Sequence, residues 1–238
     1  MDKTALGSLV QPEHLEPAAI DSYRSAFESN PARFVVLQNF LRQDLAERLS
    51  EFLREEASIE TEFGLYSAEE HKVDESAWLA AAEDDRFFRY GRLVGTAPEF
   101  QFSPNSLAYL QFRKAFQSDE NLRSFFEAVT GLDLARSDDF GSHSMGAGDF
   151  LLEHDDNNRN RRLALVLYLS PDWTADLGGS LHILDADGRE SIVAPEYNSL
   201  VAFDTLAGTV HFVERVSDAA GDRRRVTIGG WYHTPANE

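Results

Sequence analysis

The sequence predicts an α+β protein in which amino-terminal helices support a jelly-roll-like double sheet. Two observations predict this fold class. Up to about residue 140 the pattern is mixed and helical, whereas from residue 148 onward short β-like runs alternate with turn residues, as is typical of sandwiches and barrels. Seven such runs lie between residues 148 and 232. We therefore expect a compact antiparallel unit with the helices packed against one of its sheets.

The length of the chain fits a single domain. With 238 residues and 42% hydrophobic side chains, the chain is long enough to bury a substantial core. We expect residues 1–238 to form one domain, in which residues 1–140 are the helical and mixed support region. Residues 141–238 are then the core that carries the chemistry.

The first elements are predicted by apolar spacing. Pro17 at a first helical position, followed by Ile20, Tyr23 and Phe27, predicts a helix. Residues 34–37 predict a short strand. A second amphipathic helix of about three turns is predicted by an i, i+4, i+7, i+8 pattern, formed by Leu45, Leu49, Phe52 and Leu53.

A further helix and an acidic stretch complete the support region. Ser118 is predicted to cap a helix that ends at Gly131. Its apolar face consists of Leu122, Phe125, Phe126 and Val129. The acidic residues between 55 and 85 are predicted to form a solvated helical or loop surface.

The seven β-like runs of the core are bounded by glycine, proline, asparagine and aspartate. Such residues favour turns for conformational reasons. The predicted strands are residues 149–154, 163–169, 180–184, 190–193, 199–203, 210–216 and 224–232.

Composition excludes several classes of function. The 22 basic and 41 acidic side chains give a net charge of −19, so we expect no nucleic-acid partner, because phosphate binding requires a basic face. No apolar stretch reaches the ~20 residues that span a bilayer, and residues 1–14 do not resemble a secretion signal. We therefore expect a cytoplasmic protein with no membrane partner; the oligomeric state is left open.

The absence of cysteine limits the available metal ligands. With no cysteine in the chain, disulfides, thiolate metal sites and cysteine nucleophiles are excluded. Histidine and carboxylate side chains remain as the strong ligands for a metal ion.

The sharpest chemical feature is the tetrapeptide Glu153-His154-Asp155-Asp156 at the end of a predicted strand. In an extended backbone residues i and i+2 point to the same face, so His154 and Asp156 form a pair. Two ligands hold a divalent ion weakly, and a third is required. His211 lies in the alternating run 210–213, on a strand that a double sheet can place beside the first. Two histidines and one carboxylate are the ligand set of non-haem Fe(II) oxygenases.

A late arginine strengthens this interpretation. In the predicted final strand, alternation places Arg225, Thr227, Gly229 and Trp231 on one face. An arginine at such a position can bind a carboxylate through two parallel hydrogen bonds.

These residues resemble the pattern of the Fe(II)- and 2-oxoglutarate-dependent dioxygenase superfamily, in its prolyl 4-hydroxylase-like branch. His154, Asp156 and His211 match the family's His-x-Asp and distal His, and Arg225 and Trp231 follow at the family's spacing. The run from residue 161 to 181, including Pro171-Asp172-Trp173 and Gly178-Gly179, closely resembles the catalytic domain of ribosomal-protein prolyl hydroxylases. The resemblance is strong over residues 141–234 and weaker over 33–135.

The resemblance implies a double-stranded β-helix (jelly-roll) core and a specific chemistry. It implies that His154, Asp156 and His211 bind Fe(II), and that 2-oxoglutarate is the cosubstrate held by Arg225 and Tyr168. Dioxygen is then the oxidant, succinate and CO2 are released, and ascorbate is a supportive reductant. The carboxylate ligand Asp156 favours hydroxylation over halogenation.

The substrate that the resemblance implies is a proline in a protein or peptide, with ribosomal proteins as one candidate source. Arg159, Arg161 and Trp231 are candidate substrate contacts. A free amino acid or a natural-product intermediate is an alternative substrate. An alternative function of a different class is that of a non-catalytic jelly-roll binding module.

Three departures from the family pattern limit what the resemblance implies. Many relatives place a tyrosine nine residues before the first metal histidine, where this chain has Met145, so one cosubstrate hydrogen bond is missing or supplied elsewhere. We expect the chain to be too short for the second, non-catalytic barrel of the ribosomal-protein hydroxylases. The acidic segment before the core can attract a basic substrate or serve solubility only.

Overall fold

A computed structural model describes residues 6–69, 71–156 and 160–236 of the chain. Five α-helices and twelve strands are defined in this part of the chain. The helices are α1 (Pro17–Ser29), α2 (Gln43–Glu51), α3 (Glu75–Ala80), α4 (Pro104–Ser118) and α5 (Glu120–Thr130). The strands that precede the jelly roll are β1 (Phe34–Leu37), β2 (Ala57–Leu65), β3 (Lys72–Val73) and β4 (Arg86–Thr96). Those of the jelly roll are β5 (Phe140–Met145), β6 (Phe150–His154), β7 (Arg161–Tyr168), β8 (Leu181–Leu184), β9 (Glu190–Val193), β10 (Ser199–Asp204), β11 (Val210–Val213) and β12 (Arg225–His233).

The jelly roll has two antiparallel halves. One half has the strand order β1-β10-β7-β12-β5, and the other has the order β6-β11-β8-β9. Strand β4 joins them, because it pairs with β5 through Gly91 and Ser144 and with β6 through Phe88 and Leu151. The expected α+β jelly-roll fold is confirmed, and its sheet curls into a half-barrel that encloses a cavity.

Helices α1, α2, α4 and α5 cover the outer face of the first half, whereas Trp78 of α3 packs in a separate small cluster with Leu65 and Phe150. The apolar side chains of the four covering helices form one buried cluster with those of β7, β10 and β12. Within it, the ring of Phe116 in α4 stacks on Tyr232 in β12 with centroids 5.6 Å apart. A second buried cluster lies between the two halves of the jelly roll. These helices therefore pack on the outer face of strands whose inner face lines the cavity.

The predicted elements before residue 60 agree closely with the structure. Strand β1 coincides with the predicted strand, and α1 begins at Pro17 as predicted. Helix α2 continues into one wide π-helical turn, Phe52–Glu56, so that the apolar spacing through Leu53 is retained. None of the helices in the described part of the chain is long and apolar enough to cross a membrane.

Two predictions in the support region were wrong. Ser118 does not begin a helix; it ends α4, where its hydroxyl donates to the carbonyl of Lys114 at 2.6 Å. Asp119 is the N-cap of α5, and its carboxylate accepts from the amide of Asn121 at 2.7 Å. The end of that helix is as predicted, because Gly131 adopts the left-handed conformation with φ of 73° that favours glycine.

The acidic stretch between residues 55 and 85 is not simply a solvated surface. It contains β2, which pairs with β4 along its whole length. The negative charge is compensated on neighbouring strands, since Glu62 lies 3.7 Å from Arg92 of β4 and also forms an ion pair with Lys72 of β3. Charge excess along the sequence therefore does not prevent strand formation here. The sequence analysis also did not predict α4, β4 or β5.

Candidate active site

Pairing between two distant strands assembles the predicted metal site. His154 ends β6 and His211 lies in β11, and these two residues are direct partners in the antiparallel register. Asp156 follows two residues after His154. The candidate ligand atoms of the three side chains lie within 4.8 Å of one another, and the two imidazole centroids are 4.1 Å apart. Asp156 and His211 are 55 positions apart in the sequence, and the pairing of β6 with β11 brings them together.

His154 is held in a form that suits metal binding. Nδ1 of His154 lies 2.9 Å from the carbonyl of Leu152, which leaves Nε2 free for a ligand. Burial, with the neighbouring His211, lowers the pKa of His154 to about 4. A neutral imidazole is the form that coordinates a metal.

Asp156 is an ionised carboxylate with three polar neighbours. Arg161 donates to one of its oxygens at 3.1 Å, and the indole of Trp231 donates to the other at 2.9 Å. Nε2 of His211 lies 3.4 Å from that second oxygen. Burial by itself raises the pKa of Asp156, but these neighbours outweigh it and hold the pKa below its usual range.

This donor set fits Fe(II). Two imidazole nitrogens and one carboxylate oxygen that line the same cavity are the ligand type and number that non-haem Fe(II) sites use. Nδ1 of His211 is buried and has no hydrogen-bond partner among the described residues. His154, Asp156 and His211 are therefore the residues that would hold the iron.

A buried arginine and tyrosine lie elsewhere in the same cavity. Arg225 is 3% exposed and Tyr168 is 1% exposed, and the guanidinium carbon lies 4.9 Å from the tyrosine ring centroid. Burial lowers the pKa of Arg225 and raises the pKa of Tyr168. The guanidinium is nevertheless a cation, because the ordinary pKa of arginine lies far above neutrality, and Tyr168 is a neutral phenol. Nη1 of Arg225 donates to the sulfur of Met145 at 3.4 Å.

Two donors of this pair are unused. Within the described part of the chain, neither Nε of Arg225 nor the hydroxyl of Tyr168 has a hydrogen-bond partner. Buried polar groups without partners are rare because each one costs free energy. A buried cation beside an unused hydroxyl fits the carboxylate of a bound dicarboxylate such as 2-oxoglutarate.

One cavity of about 720 Å³ connects the metal ligands with this pair. Aromatic side chains line it, among them Phe87 and Tyr90 of β4, Trp231 of β12 and Tyr66, which directly follows β2. Tyr66 is 40% exposed and its hydroxyl donates to the carbonyl of Glu153 at 3.0 Å. The cavity is large enough for a small dicarboxylate together with part of a second molecule.

The candidate substrate residues have different surroundings. Arg161 lines the cavity, with its guanidinium carbon 3.6 Å from the ring centroid of Trp231 and its Nε 3.1 Å from a carboxylate oxygen of Asp139. Trp231 also lines the cavity and contacts both Arg161 and Asp156. Arg159 lies outside the described residues. A substrate contact by any of them stays a prediction.

Several residues that line this cavity were not singled out from the sequence, among them Asp139, His143 and Tyr90. Asp139 precedes β5, His143 lies within β5, and Tyr90 lies on β4. The first strand of the jelly roll was not recognised, although 141, 143 and 145 alternate with buried serines 142 and 144. That alternation was the available signal, and it was obscured by the small and polar residues that carry it.

Comparisons with known proteins agree with this geometry. Residues 141–233 match the family model of the 2OG-Fe(II) oxygenase superfamily. Prolyl 3-hydroxylase OGFOD1 of Mus musculus is 34% identical over 124 residues, which are 49% of this chain and 22% of that protein. Prolyl 3-hydroxylase sudestada1 of Drosophila melanogaster is 34% identical over 134 residues, which are 50% of this chain and 24% of that protein. The matched region thus spans less than a quarter of either relative.

Solved structures share the fold. A prolyl-4-hydroxylase of Pseudomonas putida superimposes with a TM-score of 0.55 at 20% identity, covering 91% of this chain and 100% of the other. A prolyl hydroxylase of Trichoplax adhaerens, solved with a hypoxia inducible factor peptide fragment, gives 0.56 at 14% identity, with coverages of 92% and 93%. Together with the His-Asp-His cluster and the family match, these similarities identify residues 141–233 as a domain of the 2OG-Fe(II) oxygenase superfamily that resembles the prolyl hydroxylases.

Proposed function

We propose that this protein is an Fe(II)- and 2-oxoglutarate-dependent dioxygenase that hydroxylates a prolyl residue in a protein or peptide, with release of succinate and CO2. One observation carries the proposal: a single cavity contains both the His-Asp-His cluster and the buried Arg225–Tyr168 pair with its unused donors. The first suits iron and the second suits the cosubstrate carboxylate.

The roles of the residues follow from their contacts. His154, Asp156 and His211 would hold the iron, which together with 2-oxoglutarate and dioxygen supplies the oxidising power when bound. Arg161 and Trp231 orient the Asp156 carboxylate through hydrogen bonds. Arg225 and Tyr168 bind the distal carboxylate of the cosubstrate, and the surrounding apolar side chains exclude water.

The prolyl substrate is supported by the relatives and by the cavity wall. The curated relatives above are named prolyl 3-hydroxylases. Aromatic surfaces such as Tyr66, Phe87, Tyr90 and Trp231 are the kind of surface on which proline-containing segments pack.

The test is succinate formation from 2-oxoglutarate by purified protein with Fe(II) and ascorbate in air. We expect stimulation by a proline-containing peptide from a panel, together with a hydroxylated peptide in the mass spectrum. Stimulation only by a free amino acid overturns the protein substrate and favours small-molecule metabolism. If the protein forms no succinate and binds no iron, the proposed enzymatic function is overturned, and the alternative of a non-catalytic binding module is favoured.

Two variants locate the site within this assay. Asp156→Ala should lose iron binding and turnover, since it removes one of three ligands.

Arg225→Met should raise the 2-oxoglutarate concentration for half-maximal turnover by at least about tenfold, because a charge-assisted hydrogen bond of about 1.5–3 kcal/mol is lost. Its iron affinity should stay unchanged. An Arg225→Met enzyme with the wild-type 2-oxoglutarate requirement would show that another residue holds the cosubstrate.

A further inference from the structure

His143 belongs to a row of side chains that crosses three neighbouring strands. In the sheet register, Thr227 of β12 is the direct partner of His143 on β5 and of Tyr168 on β7. All three residues line the cavity. His143 therefore lies at the same level along the cavity as the phenol assigned above to the cosubstrate carboxylate.

The ring of His143 is fixed by its neighbours but keeps its nitrogens free. It stands edge-on against Tyr90, with centroids 5.1 Å apart and an interplanar angle of 84°. A Cβ on Gly141 would lie 3.3 Å from its Cε1 and 3.6 Å from its Nε2. The imidazole ring therefore packs close to the Gly141 backbone, in the space that a side chain at that position would occupy. No other described residue forms a hydrogen bond to His143. One edge of the imidazole is thus available to a bound molecule.

The charge state of His143 suits a hydrogen-bond donor. Burial, with the nearby cations Arg92 and Arg225, lowers the pKa of His143 to about 4. At neutral pH its ring therefore has one N–H and no charge.

Met145 explains why an additional donor is needed. The neighbour of Arg225 across β5 and β12 is Met145, whose thioether accepts weakly and cannot donate. At this position many members of the resembling family have a tyrosine, which offers a hydroxyl. The carboxylate end of the cavity therefore has one donor fewer than the family pattern provides.

We propose that His143 is a cosubstrate-binding residue of this protein, whose imidazole N–H donates a hydrogen bond to the dicarboxylate held by Arg225 and Tyr168. His143 thereby takes over the part that Met145 cannot perform. The proposal rests on the proposed function, because it requires 2-oxoglutarate as the ligand of this cavity. It assigns to β5 a role in cosubstrate binding in addition to its role in the sheet.

The test is binding of N-oxalylglycine, a non-reacting 2-oxoglutarate analogue, to the Mn(II)-loaded protein, measured by isothermal titration calorimetry. Three variants separate hydrogen bonding from packing. His143→Phe keeps an aromatic ring against Tyr90 but has no N–H. His143→Asn keeps an N–H donor but loses the ring. Tyr90→Phe removes the other free phenol that faces this ring.

We expect His143→Phe to raise the Kd for N-oxalylglycine about tenfold or more, the effect of losing one hydrogen bond to a charged group. His143→Asn should retain most of the affinity, and Tyr90→Phe should weaken binding less than His143→Phe does. The Mn(II) affinity and the melting temperature should be unchanged in all three, which shows that the fold and the metal site are intact.

The opposite ranking overturns the proposal. If His143→Phe binds as tightly as the wild type while His143→Asn is weakened, the ring acts by packing only. If Tyr90→Phe alone is weakened, the phenol of Tyr90 is the missing donor. A wild-type protein that binds Mn(II) but not N-oxalylglycine would overturn the proposed function as well, whereas failure of His143 alone would leave that function standing.

Discussion

At the scale of single residues, Arg161 connects the metal site with the wall of the cavity. Its guanidinium donates to Asp156 and to Asp139, both at 3.1 Å, and stacks on Trp231. Asp139 in turn lies 3.0 Å from Nε2 of His233. A metal-ligating carboxylate keeps its orientation through such partners, and their removal typically lowers metal affinity. Arg161 is thus placed to position Asp156, whether or not it also contacts substrate.

Arg161→Gln should lower the Mn(II) or Fe(II) affinity about 10–100-fold, the range known for residues that orient metal ligands. Titration calorimetry under anaerobic conditions measures it. Arg162→Gln is the matched control, because Arg162 pairs with Asp204 at 3.1 Å instead of with a metal ligand. Unchanged metal affinity in Arg161→Gln, with a higher KM for the peptide, would mean that Arg161 serves the substrate alone.

At the scale of elements, one face of β12 contributes side chains to the cavity, and the other face packs against the helices. Its cavity face holds Arg225, Thr227 and Trp231. Its opposite face packs on α4, where Tyr232 stacks on Phe116. The adjacent glycines 229 and 230 therefore face different surroundings: a Cβ on Gly230 would lie 2.5 Å from the Phe116 ring and 2.8 Å from the carbonyl of Asp139, whereas one on Gly229 would meet only the carbonyl of Leu165 at 3.4 Å.

Gly230→Ala should destabilise the protein by about 1–3 kcal/mol, the usual cost of overpacking, because a backbone carbonyl and a packed helix must move. The melting temperature should fall by roughly 2–12 °C in a chain of this size. Gly229→Ala should melt within about 2 °C of the wild type, since its contact is ordinary. Equal melting temperatures for the two variants would show that α4 does not pack tightly against β12. Calorimetric unfolding scans compare them directly.

At the scale of the whole molecule, the net charge of −19 opposes compaction through self-repulsion. Part of the acidic charge is compensated locally, as between Glu62 and the cations of β3 and β4. The acidic side chains that are exposed repel one another through solvent, and salt screens this repulsion. At about 0.01 M ionic strength the Debye length is about 30 Å, and at 0.15 M it is about 8 Å.

Raising NaCl across this range should therefore increase the melting temperature of the wild-type protein, by roughly 2–4 °C if repulsion costs about 1 kcal/mol. Thermal unfolding at fixed pH measures the shift. KCl at the same ionic strength should act equally, because screening depends on ionic strength and not on the ion. A melting temperature that falls with salt would mean that stabilising ion pairs outweigh the repulsion.

The sequence by itself predicted most of the jelly roll and the His154–Asp156 pair of candidate metal ligands. Short-range alternation is visible wherever a strand has one apolar face, and it located β6, β7 and β12 to within one or two residues. The pair His154 and Asp156 is likewise local, since period-two geometry places both on one face. Arg225 follows from the same rule on β12. These features depend on neighbours in sequence and therefore need no tertiary information.

Only the tertiary structure decided what depends on contacts distant in sequence. The pairing of β6 with β11 brings His211 opposite His154, and no spacing within either strand fixes this register. Strands β2 and β4 pair with each other along the whole length of β2. Charged side chains that were expected to be solvated form ion pairs across these strands, as Glu62 does with Arg92. The placement of His143 beside Thr227 and Tyr168 arises from three strands that are far apart in the chain. Long-range pairing decides these positions because a strand is completed by its partners, and its own residues do not specify which partners those are.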